Sequence, residues 1–260
     1  AQNGLKVACA ESRETLGGTC LNVGCIPSKA LLHASEYYEQ AKSGALEKFG
    51  VKLGSVKLDW DAMQEEKTKA VGELTGGIEF LFKKNKVEWL KGRAAFTDKN
   101  TVEIGGKSYT ADKFVIATGS SVTPLKGVEI DGEVVISSTE ALSLPKVPKR
   151  MIVIGGGYIG LEMGSVYSRL GTEVTVVEYM DTITPGLDAE VTKAFARILK
   201  KQGLEMKTGT KVTGVERSGK GAKVTVEPAK GGDAEVLETD IVLLSIGRVP
   251  NTEGLNLEAA

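Results

Sequence analysis

The feature that most constrains the fold is a strand–turn–helix–strand pattern in the second half of the chain. Residues 150–154 form an apolar run typical of a buried strand, and Gly155-Gly156-Gly157-Tyr158-Ile159-Gly160 follows it directly. A helical pattern continues over residues 158–170, with Gly171 placed as its C-cap. A second strand-like run then ends at the acidic residue Glu178. This order predicts a βαβ unit.

The glycines and the acid of this unit are typical of dinucleotide binding. The glycines permit a tight turn, close approach of the backbone to a pyrophosphate and close packing of helix on strand, while the helix N-terminus favours the phosphate charge. Glu178 lies about twenty residues beyond the loop, where a carboxylate accepts hydrogen bonds from the adenosine ribose hydroxyls. Because it would repel a 2′-phosphate, NAD is preferred to NADP. The alternative is a βαβ unit that binds nothing.

A pair of cysteines in the first half of the chain indicates redox chemistry. Cys20 and Cys25 are five positions apart, and an undistorted helix would separate their Cα atoms by roughly 7.5 Å along its axis. The segment must therefore bend, and Gly24 supplies the freedom. Pro27 before an apolar helix-like run places Cys25 near a helix N-terminus, which together with Lys29 one turn on favours a thiolate. We predict a redox-active disulfide.

Two other roles for the cysteines remain as alternatives. A structural disulfide is one, although three cysteines in 260 residues are not the composition of a disulfide-rich domain. A zinc site is the other, but Cys9 and His33 would have to complete it, and the spacing does not argue for this. We expect Cys9 in core packing, His33 at an ordinary surface position, and no metal site.

Composition excludes several functional classes. The chain is 41% hydrophobic and 26% charged, with a formal net charge of −1, which is typical of a soluble globular protein and argues against a nucleic-acid or membrane-surface role. No apolar run approaches the roughly 20 residues of a membrane span. A length of 260 residues allows one large domain or two ordinary ones.

Internal repeats indicate two related domains. Residues 4–11 and 171–178 each place a strand after a glycine and end it in an acid, so Glu11 corresponds to Glu178. Residues 112–119 and 240–247 each place an apolar strand between an aspartate and a glycine. We interpret these as parts of two dinucleotide units, with the opening strand and glycine loop of the first lying upstream of Ala1.

The predicted fold class is α/β, with two Rossmann-like domains. A proline-punctuated linker at residues 144–149 divides the chain into residues 1–146, with the partial dinucleotide unit and the cysteine pair, and residues 147–260, with the complete unit. Other elements are also expected from pattern. These are helices at 30–42, at 60–84 (interrupted around Gly76-Gly77) and at 188–202, a hairpin at 102–109, and strands at 87–96, 204–208, 211–217, 222–227 and 234–238.

Taken together, these residues resemble the class I pyridine nucleotide-disulfide oxidoreductase family of flavoproteins. The match runs over essentially all 260 residues. Its most specific parts are the cysteine segment at 17–32, Ala117-Thr118-Gly119-Ser120, the Gly155 loop and Gly247-Arg248-Val249-Pro250-Asn251. Within the family, the resemblance is greatest to the members that oxidise dihydrolipoyl groups.

The resemblance implies that residues 1–146 are a FAD-binding domain and residues 147–260 a NAD-binding domain, and it implies a role for each site residue. Cys25 would be the thiol nearest the flavin, Cys20 the outer thiol that exchanges with substrate, Lys29 and Glu162 a pair beside the flavin, and Tyr158 a gate over it. Cys20, Lys29, Tyr158 and Glu162 would also count among the cofactor contacts. The other implied FAD contacts are Glu11, Gly17, Gly18, Thr19, Ala94, Thr118, Gly119 and Ser120. The other implied NAD contacts are Gly155, Gly157, Ile159, Gly160, Glu178, Val212 and Gly247.

The function implied is oxidation of protein-bound dihydrolipoyl groups through the Cys20–Cys25 disulfide and FAD, with hydride passed to NAD. The implied partners are a second copy of the chain and the lipoyl domains of 2-oxoacid dehydrogenase or glycine cleavage complexes, in the mitochondrial matrix or bacterial cytoplasm. The family's catalytic histidine and glutamate are absent from this sequence, so we expect a fragment that alone holds FAD poorly and does not turn over. Alternatives are an NADPH-dependent disulfide or mercuric reductase, against which Glu178 argues, and a non-catalytic role in a larger assembly.

Overall fold

A computed structural model describes residues 1–260, which divide into two compact units. Unit 1 comprises Ala1–Ile26, Thr68–Ser121 and Val249–Ala260, and unit 2 comprises Pro27–Lys67 and Val122–Arg248. The domain boundary expected from sequence, at Lys146, lies inside unit 2. The division into a FAD domain and a NAD domain stays a prediction.

The secondary structure consists of strands and helices that alternate over residues 135–207, with consecutive strands before and after that region. The strands are β1 (Ala8–Glu11), β2 (Glu88–Lys91), β3 (Ala94–Asp98), β4 (Thr101–Ile104), β5 (Lys107–Thr110), β6 (Ser120–Val122), β7 (Val135–Ile136), β8 (Arg150–Ile154), β9 (Glu173–Val177), β10 (Glu205–Lys207), β11 (Thr210–Ser218), β12 (Gly221–Pro228), β13 (Glu235–Thr239), β14 (Ile241–Leu244) and β15 (Arg248–Pro250). The α-helices are α1 (Gly18–Val23), α2 (Cys25–Lys42), α3 (Trp60–Lys84), α4 (Ser138–Ala141), α5 (Tyr158–Arg169) and α6 (Ala189–Lys201), and 3₁₀ turns occupy Glu47–Phe49 and Leu257–Ala259.

A parallel sheet forms the centre of unit 2. Its strand order is β10-β9-β8-β14-β7, and every neighbouring pair is parallel. Val153, Val176 and Leu243 are fully buried in it, as expected for strands that helices cover. The predicted βαβ unit is confirmed as β8–α5–β9, and the sheet agrees with the predicted α/β fold class.

The helix ends of unit 2 follow the local sequence. The C-cap of α5 is Leu170, one residue before the predicted Gly171. Gly171 adopts φ +102°, and its N–H donates to the Ser168 carbonyl, so it ends the helix from the next position. Asp188 caps α6, because its side chain accepts from the N–H groups of Glu190 and Val191 at 2.9 and 3.1 Å. An antiparallel sheet of β11, β12 and β13 completes the unit.

Unit 1 contains two small sheets. β1 pairs in parallel with β2, while β3, β4 and β5 form an antiparallel sheet that confirms the predicted hairpin. Phe96, Val102 and Ile104 are its buried core. The strand expected at residues 87–96 is divided in two at Gly92, which adopts φ +137°.

The predicted interruption of the long helix at Gly76-Gly77 is wrong. α3 is continuous over Trp60–Lys84. Each glycine destabilises a helix interior by about 1 kcal/mol relative to alanine. That penalty is offset where the helix packs apolar side chains, such as the half-buried Trp60 and Met63, against the core. No helix in the structure is long and apolar enough to span a membrane.

The strand predicted within residues 112–119 is also wrong. These residues are irregular, and Val115 and Ile116 are 91% and 52% exposed. A strand exists through ladder hydrogen bonds to a neighbour, and β1 and β2 pair only with each other. The equivalent segment of the repeat does form a strand, β14, between β8 and β7.

Candidate functional site

The loop between β8 and α5 has a different requirement at each of its three motif glycines. Gly155 adopts φ +107°, and a Cβ there would lie 2.6 Å from the Ser245 carbonyl oxygen. A Cβ on Gly160 would lie 2.6 Å from Ser245 Oγ, whereas one on Gly157 would meet nothing within 4 Å. Gly155 therefore makes the turn and Gly160 the close packing, while Gly157 leaves the backbone open to a ligand, as a pyrophosphate requires.

The N-terminus of α5 and Glu178 meet at this loop. Gly157 is the N-cap of α5 and provides no side chain to its first N–H groups, which suits an anion. Glu178 is 8% exposed, and its Oε2 accepts from the Gly156 N–H at 2.6 Å. Its Oε1 accepts from the Met180 N–H at 2.7 Å. The carboxylate is thus fixed beside the loop by the backbone.

The cysteine segment bends where the sequence predicts. α1 ends before Gly24, whose φ and ψ are −143° and −117°, and Cys25 is the first residue of α2. A Cβ on Gly24 would lie 2.9 Å from the Thr19 carbonyl oxygen and 3.2 Å from the Cα of Cys20, so only glycine allows this close approach. Cys20 and Cys25 are both exposed. No group of His, Cys, Asp or Glu side chains is gathered as a metal site.

A polar cluster joins α2 to α5. Ser28 Oγ donates to Glu162 Oε2 at 2.5 Å, and Lys29 Nζ donates to Glu162 Oε1 at 3.2 Å. Ser28 is buried, whereas the side chains of Lys29 and Glu162 are 63% and 31% exposed. The pairing of Lys29 with Glu162 that the resemblance implies is therefore present as a contact.

A second contact fixes the direction of the two helices. Arg169 Nη1 donates to the Leu32 carbonyl at 3.0 Å and lies 3.5 Å from Ser35 Oγ. Since Glu162 meets the first turn of α2 and Arg169 a later one, the helices run in the same direction. The start of α2 and the start of α5 therefore lie at the same end of the pair.

In unit 1, Asn251 binds the Thr118–Ser121 segment with all of its polar groups. Its N–H donates to the Gly119 carbonyl at 3.0 Å and its Nδ2 to the Thr118 carbonyl at 3.1 Å. Its carbonyl accepts from Thr118 Oγ1, and its Oδ1 accepts from Ser121 Oγ at 2.6 Å. Gly119 adopts φ +75°, and a Cβ there would lie 3.5 Å from Thr19 Oγ1.

Comparison with known proteins gives the family. A sequence model of the family described as "Pyridine nucleotide-disulphide oxidoreductase" matches residues 1–260. The chain belongs to this family. A dihydrolipoamide dehydrogenase of Chaetomium thermophilum is 56% identical over 99% of the chain and 52% of its own length. A leghemoglobin reductase of Vigna unguiculata is 55% identical over 99% of the chain and 50% of its own length.

The fold comparison agrees with the sequence comparison. The HOCl-induced flavoprotein disulfide reductase RclA of Escherichia coli superposes with a TM-score of 0.80 at 27% identity, over 100% of this chain and 55% of its own. This chain of the disulphide oxidoreductase family therefore spans about half the length of the relatives it matches.

The remaining predicted site residues are spread over both units of the chain. Glu11 ends β1, and its Oε1 accepts from the Arg13 N–H at 2.9 Å. Tyr158 starts α5 and is 70% exposed, and Gly247 adopts φ +132°. The structure gathers two groups: Gly155, Gly157, Gly160 and Glu178 in unit 2, and Thr19, Thr118 and Gly119 in unit 1. Other positions are Gly17 and Gly18 with positive φ at the start of α1, Ile159 half-buried in α5, Ser120 in β6, and Ala94 and Val212 packed against apolar clusters.

Ser28 and Asn251 make the contacts described above but were not predicted as site residues. Both lie inside the sequence segments that carry the family resemblance, and this was the only signal in the sequence that could have found them. Their partners, Glu162 and Thr118, are 134 and 133 residues away in sequence. Local spacing carries no information about contacts of that range.

Proposed function

We propose that the protein carrying this chain oxidises protein-bound dihydrolipoyl groups, passing two electrons through a Cys20–Cys25 disulfide and FAD to NAD. The observation that carries the proposal is the contact of Ser28 and Lys29 with Glu162. It joins the helix that begins at the second cysteine to the helix that begins at the glycine loop. Membership of the disulphide oxidoreductase family and the name of the Chaetomium relative support the same activity.

The residues of unit 2 fit a pyridine nucleotide. The open backbone at Gly157 and the N-terminus of α5 suit the pyrophosphate. Each Glu178 oxygen already accepts one backbone N–H, and a carboxylate oxygen has a further lone pair for a ribose hydroxyl. The same carboxylate would repel a 2′-phosphate, so we propose NAD over NADP. FAD and NAD, when bound, supply the two-electron relay and the hydride acceptor.

The disulfide of the thiol step is formed by two cysteines of this chain. A dihydrolipoyl thiolate attacks the Sγ of Cys20 in the disulfide, and the Cys25 sulfur leaves as a thiolate. The second thiol of the substrate then displaces Cys20, which closes the oxidised lipoyl ring and leaves Cys20 and Cys25 reduced. Cys25 is the first residue of α2, and the partial positive charge of a helix N-terminus stabilises its thiolate.

Lys29 and Glu162 place charge at the start of the helix pair. We propose that both contact the flavin, with Ser28 holding Glu162 from its buried side. We also propose a homodimer that docks lipoyl domains of 2-oxoacid dehydrogenase or glycine cleavage complexes. The location that accompanies those complexes is the mitochondrial matrix or the bacterial cytoplasm.

The test is turnover of the full-length protein loaded with FAD. One assay follows NAD reduction by dihydrolipoamide, and a parallel assay follows NADPH oxidation by glutathione disulfide. We expect turnover in the first assay only. Turnover in the second alone would replace the proposal with an NADPH-dependent reductase, and no turnover in either would favour a non-catalytic role.

Cysteine variants test the order of the thiols. Cys20→Ser should abolish turnover with dihydrolipoamide but retain a long-wavelength absorption band between the Cys25 thiolate and oxidised FAD, whereas Cys25→Ser should lose both. Cys9→Ser is the matched control, because burial and then the charge of Glu11 raise the pKa of the Cys9 thiol and leave it protonated at neutral pH. Loss of the band in Cys20→Ser would reverse the assignment of the two thiols.

A further inference from the structure

The polar groups of Asn251 are used by one short segment. An asparagine offers a backbone N–H and carbonyl and a side-chain carbonyl and amino group. In this structure all four bond to Thr118, Gly119 or Ser121. Asn251 therefore bonds only to this segment, and these bonds fix the shape of the segment.

The residues before β6 have no strand partner. Residues 112–119 lie outside any strand, and the neighbouring Val115 is 91% exposed. Ordering one backbone residue opposes folding by roughly 1–2 kcal/mol, and apolar burial does not offset that in an exposed stretch. Ser120 and Ser121 belong to β6, which pairs with β15, and the bonds to Asn251 extend that order to Thr118 and Gly119.

The segment lies beside a second group of predicted cofactor contacts. A Cβ on Gly119 would be 3.5 Å from Thr19 Oγ1, and Thr19 follows Gly17 and Gly18 at the start of α1, where both glycines have positive φ. Gly119 also has positive φ, so its peptide faces are not shielded by a side chain. This is a backbone surface of the kind that binds a cofactor by close approach.

We propose that Asn251 is a positioning residue for the flavin. It holds Thr118, Gly119 and Ser120 in the shape that contacts FAD, and it acts through this segment because all of its bonds go to Thr118, Gly119 and Ser121. The inference rests on the proposed FAD site. It adds a residue of the Val249–Ala260 segment to the residues of unit 1 that are proposed to contact FAD.

The test compares two asparagine-to-aspartate variants in the full-length protein. Asn251→Asp replaces the donor to the Thr118 carbonyl with an oxygen that repels it. Asn256→Asp is the matched control, since Asn256 Nδ2 likewise donates to a backbone carbonyl, that of Phe96, at 2.7 Å. The readouts are the Kd for FAD by flavin fluorescence, hydrogen exchange of residues 118–121 without FAD, and the thermal midpoint.

We expect Asn251→Asp to raise the Kd for FAD roughly 10-fold, as loss of one such bond in a cofactor site does, and to speed hydrogen exchange at residues 118–121. Asn256→Asp should change neither. Ser121→Ala removes only the bond to Oδ1 and should raise the Kd a few-fold, which provides the test if Asn251→Asp does not fold.

Three results would overturn the inference. Faster exchange at residues 118–121 with an unchanged Kd would make Asn251 purely structural. Equal weakening of FAD binding by Asn256→Asp would assign the effect to general destabilisation. Absence of FAD binding in the unsubstituted protein would remove the proposed FAD site itself, a result that the other two do not resemble.

Discussion

Residues 112–119 and 240–247 carry the same sequence pattern and have opposite structures. Leu243 is fully buried in β14, between β8 and β7, whereas the corresponding Val115 is 91% exposed in an irregular stretch. An aspartate, an apolar run and a glycine therefore do not suffice to make a strand. What differs is the presence of neighbouring strands to complete the hydrogen-bond ladder and bury both faces.

Truncation of the two corresponding side chains should give the largest difference. Leu243→Ala should lower the free energy of unfolding by about 3–4 kcal/mol, because it leaves a cavity in a packed sheet. Val115→Ala should change it by less than about 0.5 kcal/mol, since the side chain is exposed. The measurement is the midpoint of urea unfolding. A loss at Val115 as large as at Leu243 would mean that residues 112–119 are buried in solution.

Two glycines of the loop beside β14 should separate stability from binding. Gly155→Ala should destabilise the protein by about 3 kcal/mol, because of the positive φ and the contact with the Ser245 carbonyl. Gly157→Ala meets open space, so it should preserve the thermal midpoint while weakening NAD binding roughly 10-fold. Calorimetry measures both. Unchanged NAD affinity in Gly157→Ala would remove the pyrophosphate from this loop.

Removal of the Ser28 hydroxyl tests the connection between α2 and α5. Ser28→Ala should lower the free energy of unfolding by about 2 kcal/mol, because a buried bond to a carboxylate is lost. Ser165→Ala is the control, as its buried Oγ donates at 2.7 Å to the Leu161 carbonyl within the same helix. We expect a loss below about 1 kcal/mol there. Similar losses in the two variants would show that the hydrogen bond to Glu162 stabilises the fold no more than a bond within one helix does.

The smallest expected effect is on stability at acid pH, and it comes from Asp131 near β7, the strand that borders β14 on the side away from β8. Asp131 Oδ1 accepts from the N–H groups of residues 133, 134 and 135 in the turn before β7. Burial acts to raise the pKa of Asp131, but these donors and the Arg217 guanidinium outweigh it, so the pKa lies below its usual 3.8. A depressed carboxyl pKa stabilises the fold above the unfolded-state value, and this contribution is lost as pH falls through the folded-state pKa.

Asp131→Asn should therefore reduce the loss of stability below about pH 4 and lower stability at pH 7 by less than about 1 kcal/mol. Thermal midpoints from pH 7 to pH 2.5 measure this. Asp112→Asn is the control, because Asp112 is exposed and lies in the segment 112–119, which forms no strand. It should leave the change of the thermal midpoint with pH as it is in the unsubstituted protein. If the thermal midpoint of Asp131→Asn fell with pH in parallel with that of the unsubstituted protein, the contribution assigned to Asp131 at acid pH would be wrong.

The sequence predicts those features whose cause is local. The βαβ unit, the bend at Gly24 and the start of α2 near Cys25 follow from glycine positions and periodicity within about twenty residues. The failures at Gly76-Gly77 and at residues 112–119 occur where distant packing decides the outcome. The same is true of Ser28 and Asn251, whose partners in the fold lie more than a hundred residues away.

The two contacts between α2 and α5 restrict how the chain can change in length. Glu162 and Arg169 are seven residues apart, as are Ser28 and Ser35, their counterparts on α2. One inserted or deleted residue inside either interval would rotate one contact by about 100° relative to the other, so both could not form together. Residues 43–59, which follow α2 and contain only a short 3₁₀ turn, carry no such limit. Insertions and deletions should therefore be tolerated there and be absent from the intervals 28–35 and 162–169.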